Sequence, residues 1–447
     1  MTTVQRVQPP PTAGIRPKVV ARTGLYALIA VNVAVVAYFF AQSPTDGYST
    51  MLLIGRLCGL YGALTMAFQL LLIARLPWLD RRIGMDKLTS WHRWVGFTLL
   101  WTLVAHVVLV TLAYADLSDV GFFSEIIDLA QTSEGVLRAI VAFCLILLIG
   151  AASARYARRR LAYETWHFIH LYAYVAVVLA FTHQVAIGTT FTSTPAAKTY
   201  WYVVWGAALG AVALGRLVLP LWRNWRHQLR VTAVVPESDN VVSVYMTGRD
   251  LDRMPAAAGQ FFLWRFLTKD RWWQANPFSL SAAPDGQSLR LTAKAAGDGS
   301  ASLRHIKVGT RVFAEGPYGA FTAMHRTRPE TLLIAGGVGI TPMRALLEEL
   351  ENHVVLIYRV GTHQDAVLLE ELRELAAQKG AELHLVTGPV TPDLLDANGL
   401  TRLVPDILDR DVFVCGPPGM TTALLRTLRH MGVPKQQIHA ERFSLAG

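Results

Sequence analysis

The stretch WHRWVGFTLLWTLVAH, residues 91–106, is almost entirely apolar but carries a histidine near each end. His92 and His106 are 106 − 92 = 14 residues apart, which on an α-helix is a rise of roughly 21 Å, or close to four turns. A second apolar stretch, residues 165–187, holds His167, His170 and His183. Polar side chains are costly in lipid and usually face the interior of a helical bundle, so these histidines indicate a functional site.

The apolar residues of the chain are concentrated in its first half. The chain has 447 residues, 52% of them hydrophobic, and the excess lies before residue 222. Six apolar stretches each approach the ~20 residues that a hydrocarbon core requires. They cover approximately residues 23–41, 51–74, 92–114, 136–154, 165–187 and 200–220. The sequence therefore predicts a six-helix transmembrane bundle.

The positive charges indicate the orientation of this bundle. Lys and Arg are concentrated before the first span, in the second-to-third and fourth-to-fifth connections, and after the sixth span. By the positive-inside rule both termini are cytoplasmic, in a multi-pass protein of the plasma membrane. Because the excess charge flanks the spans, the net charge of +10 indicates the lipid bilayer as a partner and no nucleic acid.

The histidines of the third and fifth spans fall into two pairs. Both spans run outward, so His92 and His170 lie at an inner depth and His106 and His183 at an outer depth. Two facing pairs of neutral imidazoles in a helical bundle are typical of two bis-histidyl b haems. The alternatives are that the histidines are only helix-end residues, or that His167 replaces His170 as a ligand.

The fifth span does not repeat the spacing of the third. Its step of 183 − 170 = 13 residues turns the helix face by ~140°, whereas a 14-residue step turns it by ~40°. We therefore expect a bend or bulge in this span, or haems approached from different sides. The connection at residues 115–135 carries five acids and is predicted to be a solvated loop; the alternative is that it attracts a cationic acceptor.

Arg56 lies within the second span, near its outer end. It is either an interfacial arginine that extends to the headgroups, or an inward-facing cation that pairs with a haem propionate or an anionic intermediate.

The second half of the chain has the composition of a soluble protein. From about residue 228, short β-rich runs predict a small antiparallel β-barrel. TLLIAGGVGITPMRALLEELE, residues 331–351, then predicts a buried strand, a glycine-rich turn and a helix opening at about Thr341. Further strands alternate with helical sequence, so a parallel α/β nucleotide-binding domain is expected, with its ligand at the carboxyl ends of the strands.

The glycine-rich turn is a candidate phosphate site. Gly336, Gly337 and Gly339 would let the backbone approach a pyrophosphate at the helix N-terminus; the alternative is that they serve only tight turns. Arg359 follows the next strand and either binds the 2′-phosphate of NADPH or is a surface arginine.

The order of these segments resembles the transmembrane flavocytochromes of the NADPH oxidase and ferric reductase group, over about residues 22–443. The second half looks like a ferredoxin–NADP reductase module. The polar, Pro-rich residues 1–21 are expected to be a disordered cytoplasmic tail. The resemblance implies a six-helix di-haem domain at 22–221, a six-stranded-type antiparallel β-barrel FAD domain at 222–328, and an NAD(P)H-binding α/β domain at 329–447.

The resemblance also implies roles for residues in four short motifs. NPFS, residues 276–279, matches the flavin motif, with Phe278 against the flavin, Ser279 near its N5, and Asn276 where a basic residue is usual. Lys294 and the Gly297–Ser300 backbone would lie near the FAD phosphates. Cys415 would lie beside the hydride path, and Phe443 would stack on the flavin until the nicotinamide displaces it. The implied cofactor-binding residues are Asn276, Pro277, Phe278, Ser279, Lys294, Gly297, Asp298, Gly299, Ser300, Gly336, Gly337, Gly339, Thr341, Pro342, Arg359, Cys415, Gly416, Pro417 and Phe443. Those expected to act in the reaction are Phe443, Cys415, Ser279 and Arg56.

The implied activity is transmembrane electron transfer. Electrons would pass from cytoplasmic NADPH, or NADH as the alternative, through FAD and two b haems to a small-molecule acceptor outside. The acceptor would be oxygen or a ferric chelate. Val110 stands where some superoxide-forming relatives carry another histidine, which weakens the case for a specialised oxygen site. The alternatives are a module that feeds a quinone or an extracytoplasmic partner protein, and a transporter whose histidines relay protons.

Overall fold

The computed structural model of the protein describes residues 17–43, 47–161, 163–270, 272–295, 297–351, 353–388 and 395–442. The chain divides into two compact units. The membrane unit comprises residues 22–76 and 86–217. The strand-rich unit is built mainly from residues 77–85 and from residue 218 onward.

Helices make up the chain before its first strand. In the described residues the α-helices are α1 (Pro17–Ala41), α2 (Thr50–Leu72), α3 (Pro77–Ile83), α4 (Met85–Ser118), α5 (Phe122–Thr132), α6 (Val136–Ser153), α7 (Arg155–Arg158), α8 (Tyr163–Ile187), α9 (Thr189–Thr192), α10 (Pro195–Ala213) and α11 (Leu219–His227). A π-helical segment, Leu214–Val218, joins α10 to α11. Ser49 and Thr194 cap α2 and α10 because their hydroxyls accept the N–H groups of Leu52 and Ala197.

Six helices in the described residues are long and apolar enough to cross a membrane. They are Val19–Ala41, Thr50–Leu72, Met85–Ser118, Val136–Ser153, Thr165–Ile187 and Pro195–His227. The predicted number and order of spans are confirmed.

Two local expectations are corrected. The α-helix α8 runs unbroken from Tyr163 to Ile187, so a bulge does not explain its 13-residue step, and a bend or haems approached from different sides stay as the expected explanations. A π-helical distortion lies in the sixth membrane helix. The acidic connection is not a plain loop, because residues 122–132 form the amphipathic helix α5 with Glu125 buried. An apolar i, i+3, i+4 pattern in FFSEIIDLAQ is the signal for this helix.

The strand-rich unit begins with six antiparallel strands: β1 (Arg230–Ser238), β2 (Val241–Thr247), β3 (Phe261–Phe266), β4 (Asn276–Ser279), β5 (Ser288–Lys294) and β6 (Val312–Tyr318). They form two three-stranded sheets, ordered β1-β2-β5 and β4-β3-β6. Single bridges, Arg230 to Arg311 and Leu280 to Leu291, connect the two sheets. Phe262, Trp264 and Met246 are fully buried between them. The short helix α12 (Asp298–Ala301) lies between β5 and β6.

A parallel sheet follows, as predicted. Its strands are β7 (Thr331–Gly336), β8 (Val354–Arg359), β9 (Glu382–Val386), β10 (Asp411–Gly416) and β11 (Ile438–Arg442), in the order β11-β10-β7-β8-β9. Its helices are α13 (Ile340–Glu349), α14 (Leu369–Lys379), α15 (Ala397–Leu403) and α16 (Pro418–His430). The central strands are buried on both faces, which explains their continuous apolar sequence.

Helices α3 and α11 pack within the strand-rich unit against β6 and its end. The carboxylate of Asp80, which is buried, accepts the N–H of Gly319 at 2.7 Å. Asn224 forms two hydrogen bonds of 2.8 Å with the backbone of Ala314. Residues 77–83, which connect the second and third spans, thus belong to the strand-rich unit.

A buried group of charges joins the antiparallel strands to the helices of the parallel sheet. Arg290 on β5 donates to both carboxylate oxygens of Glu371 on α14, at 2.9 and 3.0 Å, and to the carbonyl of Ser281 at 2.6 Å. Arg344 on α13 donates to the same carboxylate at 2.6 Å. We call Ser281, Arg290, Arg344 and Glu371 the Arg290 cluster. Because charges with low exposure must be paired, the cluster fixes the relative position of the two sheet systems.

We expect Arg290→Leu to lower the free energy of unfolding of this unit by roughly 2–3 kcal/mol. This is below the ~3–5 kcal/mol for breaking a fully buried pair, because Glu371 keeps Arg344 as a partner. The control is Arg373→Leu on α14, whose pair with Glu370 is exposed and should contribute less than ~1 kcal/mol. Denaturant unfolding of the detergent-solubilised full chain measures both, and equal losses would contradict the role of the cluster.

Candidate functional site

The two histidines of α4 hydrogen-bond to backbone carbonyls of α2. Nδ1 of His106 lies 2.8 Å from the carbonyl oxygen of Gly55, and Nδ1 of His92 lies 3.3 Å from that of Gln69. A carbonyl oxygen can only accept, so Nδ1 must carry the proton in each ring. The lone pair of each neutral imidazole is therefore on Nε2, which is the form that binds a metal.

The acceptors on α2 repeat the spacing of the donors on α4. The carbonyls are 69 − 55 = 14 residues apart, and the histidines are 106 − 92 = 14 residues apart. The first carbonyl on α2 pairs with the second histidine on α4 and the second carbonyl with the first histidine, because the two neighbouring helices run in opposite directions. The two imidazoles are thus oriented in the same way at two depths.

Glycines on α2 make room for α4. A Cβ at Gly59 would lie 2.7 Å from Nδ1 of His106. Cβ atoms at Gly55 and Gly62 would each lie 2.8 Å from a side chain of α4, that of Val110 and of Leu103. Gly55 and Gly59 form a G-x-x-x-G pattern, which lets helices approach closely in membranes. These glycines were not predicted from the sequence, although the pattern is visible in GRLCG, residues 55–59.

The structure brings His92 together with His170. Their ring centroids are 6.1 Å apart. Metal–imidazole bonds are ~2 Å long, so this separation suits a single metal atom between the two rings. Nδ1 of His170 is buried without a hydrogen-bond partner in the described residues, and Trp166 stacks on the ring at 5.1 Å. His167 is exposed, so the geometry favours His170 over it.

The outer pair is less closely defined. His106 and Arg138 are electrostatic neighbours of His183. No group of three or more His, Cys, Asp or Glu side chains forms a metal site among the described residues. A bis-histidyl haem needs only two protein ligands, and the donors present fit that requirement.

Arg56 lies next to Gly55, the residue that holds His106. Its guanidinium donates to the hydroxyl of Thr189 and lies 4.9 Å from the ring centroid of Tyr48. The side chain is half-buried and contacts protein groups at the end of the bundle that holds His106.

A large cavity lies in the strand-rich unit at the carboxyl ends of β7, β8 and β10. Its volume is about 920 Å³, enough for a dinucleotide. Five predicted residues line it: Lys294, Gly336, Gly337, Arg359 and Pro417. Gly339, Thr341, Pro342, Cys415 and Gly416 are not among its lining residues in the described part of the chain.

The glycines at the cavity have different physical roles. Gly337 has a φ of +52°, which favours glycine in the turn after β7. A Cβ at Gly339 would lie 2.3 Å from the carbonyl oxygen of Cys415, and one at Gly416 would lie 3.1 Å from Cα of Gly336. These contacts keep β10 close to the turn that joins β7 to α13.

Charged groups of both signs line the cavity. Arg359 donates to the carbonyl of Gly388 at 2.7 Å and is half-buried, so it is not a freely solvated arginine. Hydrogen bonds from the side chain and backbone of Thr362 lower the pKa of Asp365. Lys294 also contributes to this lowering. The carboxylate of Asp365 therefore stays charged over the neutral pH range.

The flavin motif forms strand β4. Ser279 is buried, and its hydroxyl has no hydrogen-bond partner in the described residues. An orphaned hydroxyl is costly unless a ligand satisfies it, which fits a flavin contact. The backbone of Gly297 and the hydroxyl of Ser300 hydrogen-bond to each other, and Asn276 lies against Gly299. Phe278 and Pro277 are half-buried. Asp298 is the first residue of α12. Phe443, the predicted terminal aromatic residue, lies outside the described residues.

Cys415 is fully buried in the core of the parallel sheet. Burial, and secondarily the nearby Glu441, raises the pKa of its thiol, so the thiol stays protonated. Its carbonyl packs on Gly339. Its place at the end of β10 puts its backbone, more than its sulfur, beside the turn.

Several lining residues were not predicted. They include Ser238, Asn240, Gln364, Asp365, Asp396 and Met420. Asp365 had a signal, because Thr362 and Asp365 form a capping box directly after β8. Ser238 and Asn240 belong to the turn between β1 and β2, where polar residues are common for reasons of turn geometry alone.

Comparisons with known proteins follow the same division of the chain. Residues 58–181 match the model of the ferric reductase like transmembrane component. Residues 226–322 match an FAD-binding domain, and residues 333–425 match an oxidoreductase NAD-binding domain.

Curated relatives match the second half of the chain. The chain is 34% identical over 230 residues to the ferredoxin reductase component of 3-ketosteroid-9-alpha-monooxygenase from Mycolicibacterium smegmatis, covering 48% of this chain and 65% of that protein. The component of the same name from Mycobacterium tuberculosis is 31% identical over 253 residues, covering 53% and 68%. The chain thus spans about two thirds of the length of these relatives.

Among solved structures, the FAD/NAD-binding domain of nitric oxide dioxygenase from Vibrio cholerae is similar, at 26% identity and a TM-score of 0.41, covering 49% of this chain and 98% of that one. A ferric-reductase-like membrane component joined to FAD- and NAD-binding domains is the architecture of the NADPH oxidase and ferric reductase family with its ferredoxin–NADP reductase-like module, and this chain belongs to that family.

Proposed function

We propose that the protein transfers electrons from cytoplasmic NADPH across the membrane to an outer-side acceptor, a ferric chelate or oxygen. Two b haems would be held by His92 with His170 and by His106 with His183. The observation that carries the proposal is the pair of 14-residue steps on α2 and α4, which orients two imidazoles identically at two depths.

The protein groups in the membrane unit serve to hold and orient the haems. The carbonyls of Gly55 and Gln69 fix the tautomer of the two α4 histidines, so each presents Nε2. Haem bound there would supply reversible one-electron chemistry. The roughly 21 Å rise between the ligands divides a ~30 Å core into steps that electrons can cross.

The strand-rich unit serves to bring nicotinamide and flavin together. The turn after β7 and the N-terminus of α13 would bind the nucleotide phosphates, with Lys294 and Arg359 as counter-charges. The hydroxyl of Ser279 would hydrogen-bond near the flavin N5 and orient the ring, with Phe278 against its face. FAD bound there would accept a hydride and release electrons singly, as haem requires.

The acceptor would bind near Arg56 at the outer end of the bundle. A half-buried guanidinium beside the outer histidine favours an anionic group, such as the carboxylates of a ferric chelate. The alternative acceptor, a quinone or a partner protein, would not require this cation.

The purified protein tests the proposal directly. A reduced-minus-oxidised spectrum should show b-type haem bands, and NADPH should reduce a ferric chelate, or oxygen to superoxide, without added protein. Activity only after addition of a quinone or membrane extract would favour the alternative. Absence of haem bands would refute the ligand assignment.

His92→Leu should remove one haem and stop all transfer beyond the flavin, because the inner pair is the entry point. The matched control is His167→Leu, which should keep both haems, since the ring of His167 is exposed. Haem content by pyridine haemochrome and outer-side reduction measure the two variants. Persistent outer-side reduction in His92→Leu would show that the assignment is wrong.

Gly59→Val should disturb the outer haem, since even a Cβ at residue 59 would lie 2.7 Å from Nδ1 of His106. The control is Gly206→Val on α10, where nothing lies within 4 Å of the added Cβ. Both changes have the same intrinsic cost in a helix. We expect a haem-to-protein ratio near one for Gly59→Val and near two for the control; equal ratios would count against this packing.

Arg359→Gln should raise the KM for NADPH about tenfold or more, with a small effect on the KM for NADH. A charge-assisted hydrogen bond is worth ~1.5–3 kcal/mol, and every 1.4 kcal/mol is tenfold. Arg402→Gln is the control, because Arg402 is exposed on α15 and does not line the cavity. Equal changes for both nucleotides would argue against a 2′-phosphate contact.

A further inference from the structure

The π-helical segment Leu214–Val218 lies in the sixth membrane helix and presents a cation to the inner histidines. Gly215 in this segment is buried, and a Cβ there would lie 2.0 Å from the carbonyl oxygen of Ala74. The segment can therefore approach the backbone at the end of α2 only because residue 215 is glycine. π-helical turns are rare and occur frequently at functional sites.

The close approach fixes Arg216. Its Nε donates to the carbonyl of Ile73 at 2.8 Å, and the side chain is half-buried. Ile73 caps the C-terminus of α2, where carbonyls lack helical partners and the helix dipole favours a cation. The guanidinium is thus held in place, unlike a snorkelling arginine at a lipid surface.

The held cation lies beside the inner histidine pair. The carbonyl oxygens that hold Arg216 and His92, those of Ile73 and Gln69, are four residues apart at the end of α2, so they lie about one helical turn apart on the same face. Charge interactions also link Arg216 with His92, His170 and His167. In the low dielectric of a membrane interior, one fixed charge has a larger effect than it has in water.

We infer that Arg216 is a positioning residue that raises the midpoint potential of the inner haem and so favours electron entry from the flavin. Reduction adds one negative charge at the haem, and a fixed cation nearby stabilises the reduced state. Net charge and surroundings are among the means by which a protein tunes such potentials. The inference rests on the proposed haem pair, since it concerns the potential of a haem at His92 and His170.

Potentiometric titration of the purified full chain tests this inference. We expect Arg216→Gln to keep both haems and to lower the equilibrium constant for reduction of one of them at least tenfold, which is about 59 mV for one electron. Arg216→Lys, which keeps the charge, should stay close to the unmodified protein. An unchanged potential in Arg216→Gln, or the same shift in both variants, would overturn the inference.

Arg138→Gln is the matched control at the other end of the bundle. Arg138 is a neighbour of His183, and its ion pair with Glu134 at 3.8 Å is exposed. Arg138→Gln should not change the midpoint potential of the haem that Arg216→Gln shifts. A shift of that same midpoint potential in Arg138→Gln would overturn the inference.

The haem content of the two Arg216 variants also tests the inference. Loss of a haem in Arg216→Gln but not in Arg216→Lys would support a charge that holds the haem, whereas loss in both would indicate a purely structural role and overturn the inference. If the unmodified protein contains no b-type haem, the proposed function itself fails. Haem bands with an unchanged potential would remove the inference alone.

Discussion

The close packing of α2 against α4 is the constraint on which the rest of the membrane unit depends. Gly55 and Gly59 remove the side chains that would separate the helices, so the ring of His106 reaches a backbone carbonyl of α2. One four-turn step away, His92 reaches the carbonyl of Gln69. A shift of either helix by one residue would turn the rings away from these carbonyls. Helix register, tautomer and the direction of Nε2 are therefore set by one contact surface.

The sequence was sufficient to locate the histidines but not the groups that orient them. Hydrophobic length and charge placed six spans, and the repeated spacing selected His92 and His106. The orienting acceptors are backbone carbonyls, which have no signature in residue type. Gly59 had a recognisable pattern, but which helix it contacts depends on tertiary packing. A bulge in α8 was one expected explanation of the ~140° change of helix face over 13 residues, whereas His183 lies on an unbroken helix.

In the strand-rich unit, local sequence motifs predicted the secondary structure correctly, but they did not predict which charged side chains pair with each other. The strand, turn and helix around Gly337 follow from apolar runs and glycine conformations, and β7 and α13 lie where expected. The Arg290 cluster could not be foreseen, because Arg290, Arg344 and Glu371 are far apart in sequence and each looks like a surface residue. Low exposure and shared hydrogen bonds make the cluster a connection between the antiparallel and the parallel sheets. The cluster thereby also fixes the shape of the cavity, which is lined by residues from both the antiparallel strands and the parallel sheet.

The cations near the two histidine pairs differ in their exposure and in the groups that they contact. Arg216 is half-buried and fixed to a helix end, whereas Arg138 is exposed and shares its charge with Glu134. Solvent and a nearby carboxylate weaken the field of Arg138. On the inferred role of Arg216, a haem held by His92 and His170 would be stabilised in its reduced form, which would favour entry from the flavin and make the onward step less favourable. A membrane negative inside compensates for this, because moving one electron outward across 100 mV contributes ~2.3 kcal/mol.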